Sequence, residues 1–448
     1  MRILVLDTIH GGEEIARHLI KAGHKCDMAD IYRHEGGISE DEAKKNTYDL
    51  IAAPVHTDPA NPLLNFSNAP VITHHQAAAM IIKGLVNSPD FLLPDKKLPG
   101  ENIKSKRPHL SVEITGSRGK TTTAFALSNI LPGRGILHTS KGTFKMPEHE
   151  LVFKKSITPA SAIDAAALAH DEGRWLIAEE SLGVCGFSDL CILTSDEDYL
   201  CAAKKKSALL EKAKSLSSCR RVLLAPGVFN SAVSKNSNPG KTLLSAYHAE
   251  DFASAAGSLC RYSDEAADEE IISGAETSGA KISGEFENPL LLLEGYKEAI
   301  ITAAAAGCIL GISPDGLFNF TAVEGRMSVS FEDAVCIVDN SNSGVNQKTA
   351  VMAAEYAEKL TGRKTRALVI GAEEQNICEG FSAEDVLSAV KEIKPGLAVI
   401  IGEELKKIRP DEADNTPLIF CETLEEGRKA ALKKTSSGSI VLCVKTWR

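Results

Sequence analysis

The chain has 448 residues, 43% hydrophobic, 25% charged and 5% aromatic, a balance that excludes a disordered, collagen-like or disulfide-built protein. At about 150 residues per domain this length predicts three domains, each able to bury a core. Fifty Lys and Arg against sixty Asp and Glu give a net charge of −10, which argues against a nucleic-acid partner and leaves only local basic clusters for a small polyanion.

Eleven scattered cysteines without a C-x-x-C pair predict a reducing, cytoplasmic setting and no structural zinc. The opening Met1–Asp7 is too short for a signal peptide. The longest apolar run, Ala299–Ile312 with Thr302 inside it, predicts a buried helix and no membrane partner. No oligomeric state is legible.

In chain order, Ile3–Leu6 reads as a buried strand, His10-Gly11-Gly12 as a turn and Glu13–Ala22 as an amphipathic helix. Further strands are expected at Cys26–Ile31, Leu50–Ala53 and Pro70–Thr73, and such strand–helix alternation predicts a parallel α/β sheet. Leu93–Pro108, with three prolines and four lysines, reads as a linker. A second α/β unit follows, with strands at Leu110–Thr115, Trp175–Ala178, Leu190–Thr194 and Arg221–Ala225. Ser231–Thr242 reads as a loop, and Leu291–Leu310 as an alanine-rich helix. After Gly325 come strands at Ala334–Val338, Ala367–Ile370, Leu397–Ile401, Pro417–Phe420 and Ser439–Val444. The expected domains are 1–105 and 324–448, both Rossmann-like, and 106–323, of P-loop ATPase type.

The most informative stretch is Thr115-Gly116-Ser117-Arg118-Gly119-Lys120-Thr121-Thr122. An apolar strand runs into it and a helix, Thr121–Leu131, leaves it. Glycines let successive N–H groups converge on phosphate oxygens at the positive end of a helix. Lys120 would neutralise the β/γ-phosphates of ATP, and the Thr121 hydroxyl would meet Mg²⁺. A second Gly-Lys-Thr, at Gly240–Thr242, has no apolar strand before it and reads as a plain turn.

This loop is shorter than the usual G-x-x-x-x-G-K-[ST], and in a middle domain it resembles the loop of the Mur ligase family. The resemblance implies a three-domain α/β enzyme that uses ATP to activate a carboxylate as an acyl phosphate. Ser156-Ile157-Thr158-Pro159 resembles the family's Thr-Pro element near the nucleotide, and also reads as a helix cap. Trp175–Ser181 resembles the strand that ends in a Mg²⁺-binding glutamate. Adjacent Glu179 and Glu180 point to opposite faces, and the register favours Glu179. Where the family has Asp-His, this chain has Asp198-Tyr199. Lys214, fifteen residues after Tyr199, falls at the spacing of the family's carbamylated, metal-ligating lysine. Its alternative is a solvated helical face with Lys204, Lys205, Lys206 and Lys212. The resemblance also puts Arg326 at a hinge, contacting nucleotide, and Asp339, Ser341 and Ser343 in a loop that meets nucleotide and acyl phosphate. Where the family has an adenine-binding asparagine helix, this chain has Lys297, Glu298 and Ile301.

Asp7–Gly12, Asp30–Arg33, Ala53–His56, Thr73–His75, Glu180–Gly183, Asn340–Gly344 and the ending Val444–Arg448 resemble a branch of that family whose substrate is a nickel tetrapyrrole. The implied reaction phosphorylates a propionate and closes a carbocyclic ring. His10, His56, His74 and His75 fall at strand ends facing a ligand. They would bind substrate carboxylates, approach nickel, supply a base, or simply cap turns. The alternatives are an amide-forming ligase of the same family and a nucleotide-binding regulator without turnover.

Overall fold

Short aliphatic runs between polar turns become buried parallel strands. In the computed structural model, which describes residues 1–33, 36–85, 105–228, 246–266, 281–342, 344–373 and 381–446, the first four are Arg2–Leu6, Lys25–Ala29, Leu50–Ala53 and Val71–Thr73. They form one parallel sheet in the order second, first, third, fourth. Gly11, at φ 100°, opens the helix Gly12–Lys21, whose first turn carries Glu13 and Glu14 and whose last carries Lys21. Those charges match the helix dipole. Thr73 and Gln76 close a capping box on the helix His74–Ile82.

The second sheet has eight strands. Its parallel centre is Ser111–Thr115, between Leu190–Leu193 on one side and Trp175–Glu179 on the other. Gly135–Thr139, Gly142–Met146 and Glu150–Phe153 extend one edge, the last two antiparallel. Val222–Leu224 and Tyr247–His248 extend the other. A small antiparallel sheet, Ala253–Ala256, Leu259–Ser263 and Ser283–Glu287, follows. The edge hairpins and this small sheet escape sequence reading because they are short and mix polar with apolar residues. The helix expected at Leu291–Leu310 starts later, at Glu294. Pro289 and the Asn288 cap shape a separate 3-10 turn, Pro289–Leu292, before it.

Ile3, Val5, Ile15, Leu19, Ala78 and Ile82 share one core with Ile136, Ala162, Ile163, Ala166 and Leu176. The two sheets therefore pack into a single compact unit, Met1–Phe320. The expected linker 93–108 lies largely outside the described residues, as does the loop 231–242 with its Gly240–Thr242 turn.

The other unit is Thr321–Arg448. Its six-stranded sheet runs Ser328–Glu332, Val335–Asp339, Gly438–Lys445, Ala367–Ala372, Ala398–Ile401, Leu418–Cys421, parallel except for the first strand. Helices Gln347–Thr361 and Ala383–Ile393 cover one face and Leu424–Lys434 the other. Ten described cysteines are all unpaired, and among the described residues no helix is long and apolar enough to cross a membrane.

Candidate active site

Three neighbouring parallel strands end together at Thr115, Glu179 and Leu193, and the phosphate loop leaves from the middle one. Gly116 holds φ +148°, and a Cβ there would lie 2.2 Å from Thr194 Oγ1; Gly119 holds φ +83° where the helix Lys120–Ser128 begins. Both positions require glycine. The Ser117 and Arg118 amides donate to Ser195 Oγ, at 2.8 and 3.2 Å. Thr115 is buried and its hydroxyl donates to the Glu180 carbonyl at 3.3 Å, while Thr122 is buried in the first helical turn.

Lys120 Nζ donates to the Gly116 carbonyl at 3.1 Å and lies 3.8 Å from Glu179 Oε1. Thr121 Oγ1 donates to Glu179 Oε2 at 2.8 Å, the Ser140 amide donates to the same oxygen at 3.0 Å, and the two hydroxyls of Thr121 and Ser140 are 3.2 Å apart. One lysine, one carboxylate and two hydroxyls thus converge at the start of the helix. Oxygen donors of this kind fit a hard divalent cation. Ser140 was missed by sequence reading because it sits on a hairpin whose strands were not expected.

Glu180 goes the other way. It is fully buried beside Glu113, near the Cys185 thiol (3.1 Å) and His75. Glu113 accepts amide N–H bonds from Gly186, Phe187 and Ser188. Burial first, and then the Glu113 charge, hold the Glu180 carboxyl well above its usual range.

The structure does not bring Lys214 to the loop. Its side chain is 57% exposed and pairs with Glu211 at 2.6 Å. Positions two apart on a helix, as Lys212 and Lys214 are in Ala208–Leu216, are separated by about 200° around the axis, and it is Lys212 that faces inward. Fully buried, Lys212 Nζ donates to Ser117 Oγ at 2.9 Å and lies 4.8 Å from the centre of the Tyr199 ring. Burial, then the neighbouring Lys120 charge, lower its pKa to about 8. The run of lysines around it hid Lys212, and only its helical phase sets it apart. Arg118 pairs with Glu197 at 2.8 Å and with Glu298, which occupies the helix expected to hold adenine. Thr158 caps the helix Pro159–Asp171.

Of the four histidines, His74 and His75 are buried, 2% and 5% exposed, not presented to a ligand. Burial holds both at about 4, and His75 Nε2 donates to the Ser181 carbonyl at 3.0 Å. His10 and His56 stand near each other, ring centroids 5.1 Å apart, and burial lowers His56 to about 4. In the other unit Asp339 accepts the Ser341 amide at 2.9 Å, and Ser341, expected to meet substrate, is 1% exposed with its hydroxyl accepting the Val444 amide at 3.2 Å. Arg326 follows Gly325, which turns at φ +69° against the Ser341 carbonyl. Ser343 lies outside the described residues.

Comparison with known proteins bears on the fold. Crystal structure II of MurF from Acinetobacter baumannii superposes with a TM-score of 0.52 over 97% of this chain and 95% of that one, at 10% identity. E. coli FolC in complex with ADP gives 0.53 over 76% and 87%, at 14% identity. The fold is that of the Mur ligases. Residues 329–446 match the family model "Coenzyme F430 synthetase CfbE, C-terminal domain". Coenzyme F(430) synthetase of Methanosarcina acetivorans is 28% identical over 98% of this chain and 97% of its own length. In this Mur ligase fold, Lys120, Thr121 and Glu179 lie at the ends of the central strands, where open α/β sheets bind ligands.

Proposed function

We propose that the chain is an ATP-dependent ligase of the coenzyme F(430) synthetase type. It phosphorylates a propionate side chain of a nickel seco-tetrapyrrole and closes a carbocyclic ring through a carbon–carbon bond, releasing ADP and phosphate. The observation that carries the ligase reading is the convergence of Lys120, Thr121, Ser140 and Glu179 on the phosphate loop. The full-length similarity to coenzyme F(430) synthetase supports the substrate.

A carboxylate is a poor electrophile, and phosphorylation gives it a leaving group. The loop amides and Lys120 hold the phosphates and offset their charge. Thr121 and Glu179, with Ser140 beside them, would hold Mg²⁺, which supplies further charge neutralisation there. The attacking carbon belongs to the same macrocycle, so proximity replaces a second substrate. Lys212 takes the place that the family resemblance gave Lys214. Addition of CO₂ to its neutral amine, with loss of one proton, would make a carbamate directed at Ser117.

The test is ADP release by the full chain with the nickel seco-macrocycle and no amino acid. Release that requires the macrocycle, with ring-closed product, is expected. Release stimulated only by an amino acid would make the protein an amide-forming ligase, and ATP binding without turnover a regulator; either result overturns the reading.

A further inference from the structure

The first sheet ends in a second set of reactive groups, outside the phosphate site. Asp7 directly follows the strand Arg2–Leu6 and holds φ +82°, a left-handed conformation that Asp and Asn bear better than other side chains. Such strain persists only where the surroundings hold it, and often where function needs it. The Asp7 side chain is fully buried. It accepts the Ile9 amide at 2.7 Å and the His10 amide at 3.1 Å, bonds that favour an ionised carboxylate. Its Oδ2 lies 3.0 Å from His10 Nδ1. The carboxylate accepts, so Nδ1 carries the proton and the Nε2 lone pair is left to act.

The His10 side chain is 42% exposed, unlike the buried His74 and His75. Tyr32 and His56 stand edge-on to it, each with ring centroids at 5.1 Å, and stack on each other at 5.5 Å. Ile9 and Tyr32 are 40% and 39% exposed beside it, an apolar surface of the kind a planar macrocycle covers. The turn also abuts the catalytic half of the same unit. A Cβ on Gly11 would lie 2.5 Å from Ala160 Cβ and 3.4 Å from Thr158 Oγ1. The adjoining Ile157 carbonyl accepts the Ser181 amide at 3.0 Å, two residues past Glu179.

We propose that His10 is the base that removes the proton from the attacking carbon of the macrocycle, with Asp7 its positioning residue. This rests on the ring-closing reading above. His10 Nε2 takes the proton, and the carbon's freed electron pair forms the new bond to the acyl carbon. The acyl–oxygen bond breaks, its pair leaving on inorganic phosphate, and the imidazolium then returns its proton to solvent. Asp7 sets the tautomer and stabilises the imidazolium as it forms.

The charged and titratable groups facing His10 are Asp7, Asp30, Arg33, Tyr32 and His56. The hydrogen bond to Asp7 raises its pKa above the usual imidazole value, so cyclisation should fall as pH drops through that raised value.

The experiment follows ADP, cyclised product and hydroxylamine-trapped acyl hydroxamate in one reaction of the full chain with ATP, Mg²⁺ and the nickel seco-macrocycle. His10→Ala should keep hydroxamate formation and lose cyclisation by a factor of at least about 100. Asp7→Asn suits the left-handed backbone and keeps the side-chain shape. It should also cut cyclisation while moving the acid limb of its pH profile to lower pH, which a purely structural role would not do. Cyclisation by His10→Ala at the unmodified rate, an equal loss of hydroxamate and product, or an unmoved pH limb in Asp7→Asn would each overturn the assignment. So would a changed visible spectrum of the bound macrocycle in His10→Ala, since that would make His10 a nickel ligand. Failure of the ring-closing reading shows separately, in the unmodified protein, as no macrocycle-dependent ADP.

Discussion

Lys212 gives the sharpest prediction, because stability and activity should move in opposite directions when it is replaced. Lys212→Met keeps the straight apolar stem and removes the ammonium group. In the fold that group is buried and pushed down to about 8 from an ordinary 10.5. At 1.36 kcal/mol for each pKa unit, the buried charge costs the nucleotide-free fold on the order of 3 kcal/mol at pH 7. The sign follows from the lowered folded pKa: the cost is complete below about 8 and fades as pH rises to about 10.5. After loss of the Ser117 hydrogen bond and the Tyr199 contact, Lys212→Met should gain roughly 1–2 kcal/mol at pH 7 and lose about 1 kcal/mol at pH 10.5, where no charge penalty is left to relieve. Turnover should fall by at least about 100-fold, the usual loss when one preorganised electrostatic group is removed. Lys214→Met, at an exposed pair, should change stability by less than about 0.5 kcal/mol and leave ADP release unchanged. Thermal unfolding at the two pH values and ADP release supply the measurements. A Lys212→Met protein that turns over normally, or is equally destabilised at both pH values, would refute this reasoning, as would inactivation by Lys214→Met alone.

Lys120→Ala should abolish macrocycle-dependent phosphate release while the fold persists, read by phosphate release alongside circular dichroism. Gly116→Ala forces a Cβ to 2.2 Å from Thr194 Oγ1 at φ +148°, and should cost about 2–3 kcal/mol in denaturant unfolding as well as ATP binding. Glu180, whose folded pKa is raised, binds a proton in the fold that the unfolded chain releases above about 4.5, so stability should fall as pH rises from there. Glu180→Gln should flatten that slope in urea titrations, whereas Glu179→Gln should leave it in place and lose metal-dependent ADP release.

The phosphate loop was readable because its chemistry is local. Gly116, Gly119, Lys120 and Thr121 act through backbone sterics and sequence neighbours, and an apolar strand on one side and a helix on the other locate them. The alternation of Glu179 and Glu180 across a strand was equally readable, since side chains switch faces at every residue. Lys212 was hidden among similar lysines. Choosing between it and Lys214 requires the rotation of one helix against a loop 95 residues away. Ser140 was hidden because its hairpin has no strong period. His74 and His75 look like ligand-facing residues at a strand end, yet the packing of their helix against Pro159–Asp171 buries them.

By itself, the sequence determined the strand-and-helix alternation, the glycines of the anion-binding turn and the nucleotide chemistry they imply, all of which depend on neighbours along the chain. Only the tertiary structure decided that the first two sheets share one core, that Lys212 meets the loop, and that Asp7 holds His10 by its Nδ1. Each of these depends on the distance and angle between groups whose relative placement is set by packing, which no local pattern encodes.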